Sequence, residues 1–501
     1  MRRTSFFSLV LAAALLLTGC GPRREEVPLP PGSSQLQELP KPVRTPFALA
    51  IFPQFSIHPV LGVNRSNLTL APLLYEPLFQ VDEHFQPEPV LCRSWSVSPD
   101  GLEWTFALHT EASFSDGTPL TGELVAQALD LARGEGSRYQ SRLREITGLS
   151  STKNTVNITL SRPNGQLPLL LDIPIALGTG DQPLGTGPYT LAGSEEELYL
   201  SARSDWWQQK NLPAQRLDLR AVAKSDELIY QFDTAELSLV DVDMMGTNTL
   251  GFSSSSETWD YATTDLIYLG FNTQREPFHS TSLRLAVSRA IDRQAVAGTI
   301  YAHHARPSAL PVHPDSPLYD EAAASDLSYA PQLLVDTVAG MKLPRRSLVL
   351  AVNSENAAKL ATAELICYQL QSAGLAVELK KLDFEDYVST LRAGSFDLYL
   401  GEVVLTADFD LTPLLSPDGS LNYGGYRNPQ VEAQLGRLHS ADFDTAPAAA
   451  RTLFELLRED PPLTAICFKN GSVLTQWGRL TGLHPVRGNV FCQLENWIIQ
   501  E

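Results

Sequence analysis

Cysteine is scarce in this chain of 501 residues: there are five, at positions 20, 92, 367, 467 and 492, and no two form a Cys-x-x-Cys pair. That spacing excludes a disulfide framework and a zinc ribbon, and Cys92, Cys367, Cys467 and Cys492 read as small buried hydrophobes. Positive charge is also in deficit, with 38 Lys and Arg against 57 Asp and Glu, a net charge of −19. Such a surface repels phosphate backbones, so no nucleic acid is expected as a partner. The familiar catalytic signatures are missing as well: there is no GxSxG elbow, no HExxH, no P-loop and no GxGxxG. Beyond the N-terminus no long apolar run occurs, nor a repeat of fixed period. What is present is ordinary globular material, 43% hydrophobic and 19% charged, in a length that fits about three domains.

Two features invite a chemical reading. Ser150-Ser151-Thr152-Lys153 fits SxxK, in which a lysine one helical turn from a serine can take its proton. No KTG or SDN accompanies it, and the β-prone run from Asn154 to Leu160 puts it at a turn instead of on a helix. A cell-envelope acyl-transfer enzyme is therefore the second reading and a non-enzyme the first. His303 and His304, with His313 nearby among Arg306, Pro307 and Pro311, read as surface-loop histidines. No metal site or cofactor is expected.

The first residues address the protein. Arg2 and Arg3 precede an apolar run from Phe6 to Leu17, too short for a stable span of about 20 residues and shaped like a signal peptide. Leu17-Thr18-Gly19-Cys20 has the form of a bacterial lipobox, which makes 1–19 a lipoprotein signal peptide and Cys20 the lipidated residue. Residues 20–43, with prolines at 22, 28, 30, 31, 40 and 42, form a tether that builds no core. An extracytoplasmic lipoprotein held to the cell membrane is the expectation.

In the body, Phe47 to Phe52 reads as a buried strand and Asn67 to Leu78 as a helix capped by Asn67 and kinked at Pro72. Ser98-Pro99-Asp100-Gly101 is a turn, because proline fixes one φ and glycine accepts a positive one, so 95–108 is a hairpin. Thr121 caps the helix that follows. Leu348 to Val352, a helix from Asn356 to Ser372 stopped by Gly374, and Ala376 to Leu379 make a βαβ unit, hence a parallel sheet in an α/β protein.

Motifs spread along the chain resemble the family 5 extracellular solute-binding proteins, the oligopeptide, dipeptide and nickel receptors of ABC importers. The resemblance lies in Leu73-Leu74-Tyr75-Glu76-Pro77-Leu78, in Glu88 to Trp95, in Phe114-Ser115-Asp116-Gly117-Thr118-Pro119-Leu120-Thr121 and in Gly185-Thr186-Gly187-Pro188-Tyr189. It continues in Tyr268 to Arg293, in Phe396-Asp397-Leu398 and in Asn422-Tyr423-Gly424-Gly425-Tyr426-Arg427-Asn428-Pro429. It implies a two-lobed periplasmic-binding-protein-like fold of class II with three subdomains and a hinge: 44–75 with 175–268 and 478–501, then 76–174, then 269–477 as the second lobe. The chain would cross between lobes at Leu269 to Asn272 and return near Trp477. It further implies a monomer that captures an oligopeptide or peptide-like solute in the cleft and passes it to a permease and its ATPase. A metal chelate, haem or sugar is the alternative cargo. By the same resemblance Asp408, within Ala407-Asp408-Phe409, matches the aspartate that holds a peptide ammonium, with Asp410, Glu76 and Tyr423 as further ligand-binding candidates. Two departures stand out: no tryptophan occurs between 400 and 420, and Pro77 replaces a glycine beside Glu76.

Overall fold

The computed structural model describes residues 46–194 and 197–500. Cys20, the signal segment and the tether lie outside the described residues.

Three sheets organise the body. The first has Ala48–Ile51 parallel to Arg216–Ala221, followed by Glu197–Ala202 and Tyr189–Ser194. The second orders Cys92–Val97, Glu103–Leu108, Thr155–Leu160 and Ile146–Ser151, all antiparallel. Its hairpin turns at Gly101, whose φ of +72° is the positive value the turn requires. The helix Gly122–Arg133 covers it; Thr121 Oγ1 accepts from the Leu124 N–H, and Val125, Ala128, Leu129 and Ala132 are buried.

The third sheet, of seven strands, runs Leu239–Val242, Leu463–Gln476, Ser256–Phe271, Leu398–Val404, Leu348–Asn353 and Val377–Leu382, with Ala305–Pro307 added beside Leu463–Gln476. The βαβ unit is there as read from the sequence: Leu348–Asn353 is parallel to Val377–Leu382, and Asn356 caps the helix Ala357–Ser372 between them. Burial on both faces explains the unbroken apolar run from Leu266 to Phe271. Leu266 and Tyr268 pack with Tyr399, Phe409 and Leu453 on one face. Ile267, Leu269 and Phe271 pack with Leu283, Leu350 and Ile366 on the other.

The two long strands of this sheet join two lobes. Ser256–Ala262 pairs with 470–476, which also carries Leu239–Val242 in the first lobe; Leu266–Gly270 pairs with 463–468 in the second. Pairing shifts register between Ala262 and Leu266. Lys469 lies opposite that irregularity, 5% exposed, its amine 3.0 Å from Asp265, 2.7 Å from Glu402 and 3.2 Å from Asp243.

Two sequence expectations need correction. The helix expected from Asn67 to Leu78 is two short helices, Arg65–Thr69 and Ala71–Leu74, and its cap is Asn64, whose side chain accepts from the Asn67 N–H. Asn67 is instead buried and ties the chain to the first strand through Phe52 N, Phe52 O and Phe55 O. Past Leu74 the chain is extended. His313 is not a surface residue: it is 1% exposed, with its ring 5.0 Å from Phe85 and 5.2 Å from Phe468. Burial pushes its pKa down to about 4 against the opposing pull of Asp315, so the ring is neutral at neutral pH.

Candidate functional site

The site grows from the end of the strand Leu398–Val404. Thr264 Oγ1 donates to Leu405 O at 2.6 Å, and Thr264 O accepts from the Leu405 N–H at 3.0 Å, fixing the chain where it leaves the sheet. Residues 406–409 then close a turn, with the Phe409 N–H on Thr406 O and Phe409 itself at φ +52°. A phenylalanine in the left-handed region costs about 1 kcal/mol or more. Its ring offsets that by packing 5.0 Å from Phe85 of the first lobe and 5.9 Å from Phe468. This turn carries Asp408 and Asp410 to the seam between the lobes.

The two aspartates differ. Asp410 is engaged: Oδ1 accepts from the Thr412 N–H at 2.9 Å and from the Thr412 hydroxyl, and Oδ2 lies 3.7 Å from Arg162. Asp408 is 6% exposed, and its Oδ1 has no hydrogen-bond partner. Burial, and then the charge of Asp410, raise its pKa against the opposing pull of the Thr406 hydroxyl, the His439 ring and the Asp410 N–H. A buried carboxylate oxygen without a donor is costly, and a cation with N–H groups would relieve it.

Around this turn the lobes touch. His439 Nε2 lies 2.9 Å from Glu145 Oε2, and Arg162 Nε donates to Glu145 Oε1 at 2.6 Å. Burial raises the Glu145 pKa, but the bonds from His439 and Arg162 outweigh it and hold the carboxyl down to about 2. The Gly165 N–H donates to His439 O at 3.0 Å.

Within the first lobe a cavity of about 400 Å³ is lined by Arg65, Arg138, Arg142 and Arg487 together with Tyr139 and Tyr261. Asp172 holds Arg142 and, at 2.8 Å, Arg487. Asp241 holds Arg65 at 3.2 Å. Sequence reading missed all four arginines, and only their convergence in space marks them.

Glu76 and Tyr423 stand elsewhere. Glu76 is buried in the first lobe, where Trp206 Nε1 donates at 3.2 Å and Trp207 Nε1 and Gln208 Nε2 at 2.7 Å, and it lines a separate cavity of about 520 Å³. Burial raises its pKa against those donors. Tyr423 packs edge-on to Tyr399, with ring centroids 6.0 Å apart. None of the hydrogen bonds, ion pairs or ring contacts of Glu76 or Tyr423 reaches Asp408 or Asp410. Among the described residues no three His, Cys, Asp or Glu side chains converge as metal ligands.

Two α/β lobes joined by a pair of long strands, with a buried carboxylate where they meet, have the architecture of a two-lobed solute-binding protein. Residues 86–422 match the model of the bacterial extracellular solute-binding proteins, family 5 Middle, and the chain belongs to that family. It is an extracytoplasmic receptor that delivers a solute to an ABC permease. Over 488 residues it is 22% identical to the dipeptide-binding protein DppE of Bacillus subtilis, covering 86% of this chain and 88% of that one. It is 23% identical over 436 residues to the glutathione-binding protein GsiB of Salmonella typhimurium, covering 77% and 84%. The ABC transporter substrate binding protein CtaP of Listeria monocytogenes superposes with a TM-score of 0.74 at 18% identity, covering 91% of this chain and 100% of that one.

Proposed function

We propose that the solute is peptide-like and binds between the lobes with its cationic end on Asp408. One observation carries this reading: Asp408 is buried with one carboxylate oxygen, Oδ1, left without a hydrogen-bond partner, whereas both oxygens of Glu76 hold donors. An ammonium stripped of water needs a fixed anion with free acceptor oxygens. Relatives described as dipeptide- and glutathione-binding support the cargo class. Closure follows from a ligand that touches both lobes, and we take the hinge to be 263–265 and 469–470, where the long strands lose register, a few residues before the crossings at 269–272 and Trp477 that the family resemblance implies. The reading also takes Cys20 as the lipid anchor and keeps Asp410, Glu76 and Tyr423 as further ligand-binding candidates. Calorimetry with the solute that copurifies tests it. Asp408→Asn should weaken binding by about 2–5 kcal/mol and leave the unfolding transition in place; unchanged affinity moves the cationic pole away from Asp408.

A further inference from the structure

Phe85 reaches across the seam. It stands at the tip of the first-lobe hairpin made by Phe79–Val81 and Pro87–Pro89. Asp82 closes that tip from within: its Oδ1 accepts from the His84 N–H at 2.9 Å and from the Gln86 N–H at 2.7 Å, and its carbonyl accepts from the Phe85 N–H at 3.1 Å. These bonds hold Phe85 at φ +58°, a left-handed value that glycine adopts freely and phenylalanine does not. The hairpin builds this turn from its own residues and so presents the ring at a fixed place. Glu83 and His84 beside it are exposed, yet Phe85 is only 2% exposed. Its ring neighbours belong to the second lobe, Phe409 edge-on at 5.0 Å and His313 at 5.0 Å.

This socket joins the Asp408 turn to the strand that crosses between the lobes. Phe409, itself left-handed at φ +52°, separates Asp408 from Asp410. Its ring lies 5.9 Å from Phe468, and the His313 ring lies 5.2 Å from the same side chain. Phe468 pairs with Leu266 where the long strands shift register. A bulky residue in the left-handed region keeps that conformation only where its surroundings impose it, and here one of those surroundings is delivered by the opposite lobe. We infer that Phe85 is a positioning residue: seated in the second-lobe socket it holds Phe409, and through Phe409 the Asp408 carboxylate, in the geometry that receives a cation. This role rests on the Asp408 reading above and adds what couples that site to closure. The site is complete only when the lobes are joined, so a solute that draws them together improves its own contact with Asp408.

The test uses the full-length purified protein and a mixed pool of dipeptides and tripeptides with both ends free, with affinity read by calorimetry. Phe85→Gly removes the ring and suits the left-handed turn, so the hairpin keeps its shape. It should weaken binding of the pool by about tenfold, and Phe85→Leu, which refills the socket with an apolar side chain, should recover most of that loss. In an Asp408→Asn background the loss caused by Phe85→Gly should shrink about fivefold, because no placed carboxylate is left to lose. An undiminished loss in that background overturns the positioning role and leaves Phe85 a support of the seam alone. Phe85→Gly that binds the pool as tightly as wild type overturns the role outright. Asp408→Asn that binds as tightly as wild type overturns the Asp408 reading beneath it, and no binding of the pool by wild type overturns both. The seat itself is read without peptide: Phe85→Cys should react with a maleimide about tenfold more slowly than His84→Cys, and equal rates overturn it.

Discussion

Gly165→Ala tests the seam directly, because the added atom has nowhere to go. A Cβ built on Gly165 lies 2.2 Å from Ala441 O, 2.4 Å from Ala441 C and 2.7 Å from Asp442 N, all backbone atoms of the opposite lobe. Gly165 is not in the left-handed region, so alanine fits the first lobe by itself and collides only across the seam. Relief requires the lobes to part by an ångström or more, which breaks the bond from the Gly165 N–H to His439 O and stretches the 2.9 Å contact between His439 and Glu145. Overpacking of this kind costs about 1–3 kcal/mol. A lost hydrogen bond adds about 1 kcal/mol. Together, roughly 2–4 kcal/mol falls on the joined state alone, a shift of about 30- to 1,000-fold toward the parted state. Small-angle scattering of wild type and variant, with and without bound solute, reads the result. The variant should show the larger radius of gyration and bind its solute more weakly by a comparable factor, with each lobe still folded. Equal radii and equal affinities would refute the argument that these contacts belong to the closing surface.

Three further outcomes follow from the same geometry. The Glu145 carboxyl, held at about 2 against an ordinary 4.5, contributes to the seam above the ordinary carboxylate range and loses that contribution as pH falls from about 4 toward 2; an acid titration by scattering should show the lobes parting there, and Glu145→Gln should flatten it. Lys469→Met leaves Asp243, Asp265 and Glu402 without their shared amine, with only Lys359 still on Glu402, and should cost about 3–5 kcal/mol in denaturant unfolding; a loss below 1 kcal/mol contradicts the ion cage. Cys20→Ser should abolish acyl modification of the N-terminus by intact-mass measurement, and identical unmodified masses in both proteins would remove the anchor.

Local signals in the sequence were legible where the chemistry is local. Thr121 and Asn356 cap helices because their side chains answer N–H groups three residues on, and the βαβ unit follows from apolar spacing and Gly374. The same rule misplaced the first helix, since Asn64 and Asn67 are the same cap-forming residue type and only the contact of Asn67 with Phe52 and Phe55 decides between them. His313 was misjudged because what buries it, Phe85 and Phe468, is far away in the chain. The aspartates were found through the resemblance, but that Thr412 and Arg162 engage Asp410 while Asp408 keeps Oδ1 without a partner depends on how the turn folds. The arginine cavity had no sequence signal, since Arg65, Arg138, Arg142 and Arg487 share no motif or spacing.

The central claim, that two lobes close on a solute without altering it, is tested most directly by scattering during titration of the unloaded protein with the solute recovered from it. The account predicts a fall in radius of gyration that saturates with binding and reverses when the intact solute is washed out. Saturated binding with an unchanged radius would contradict it.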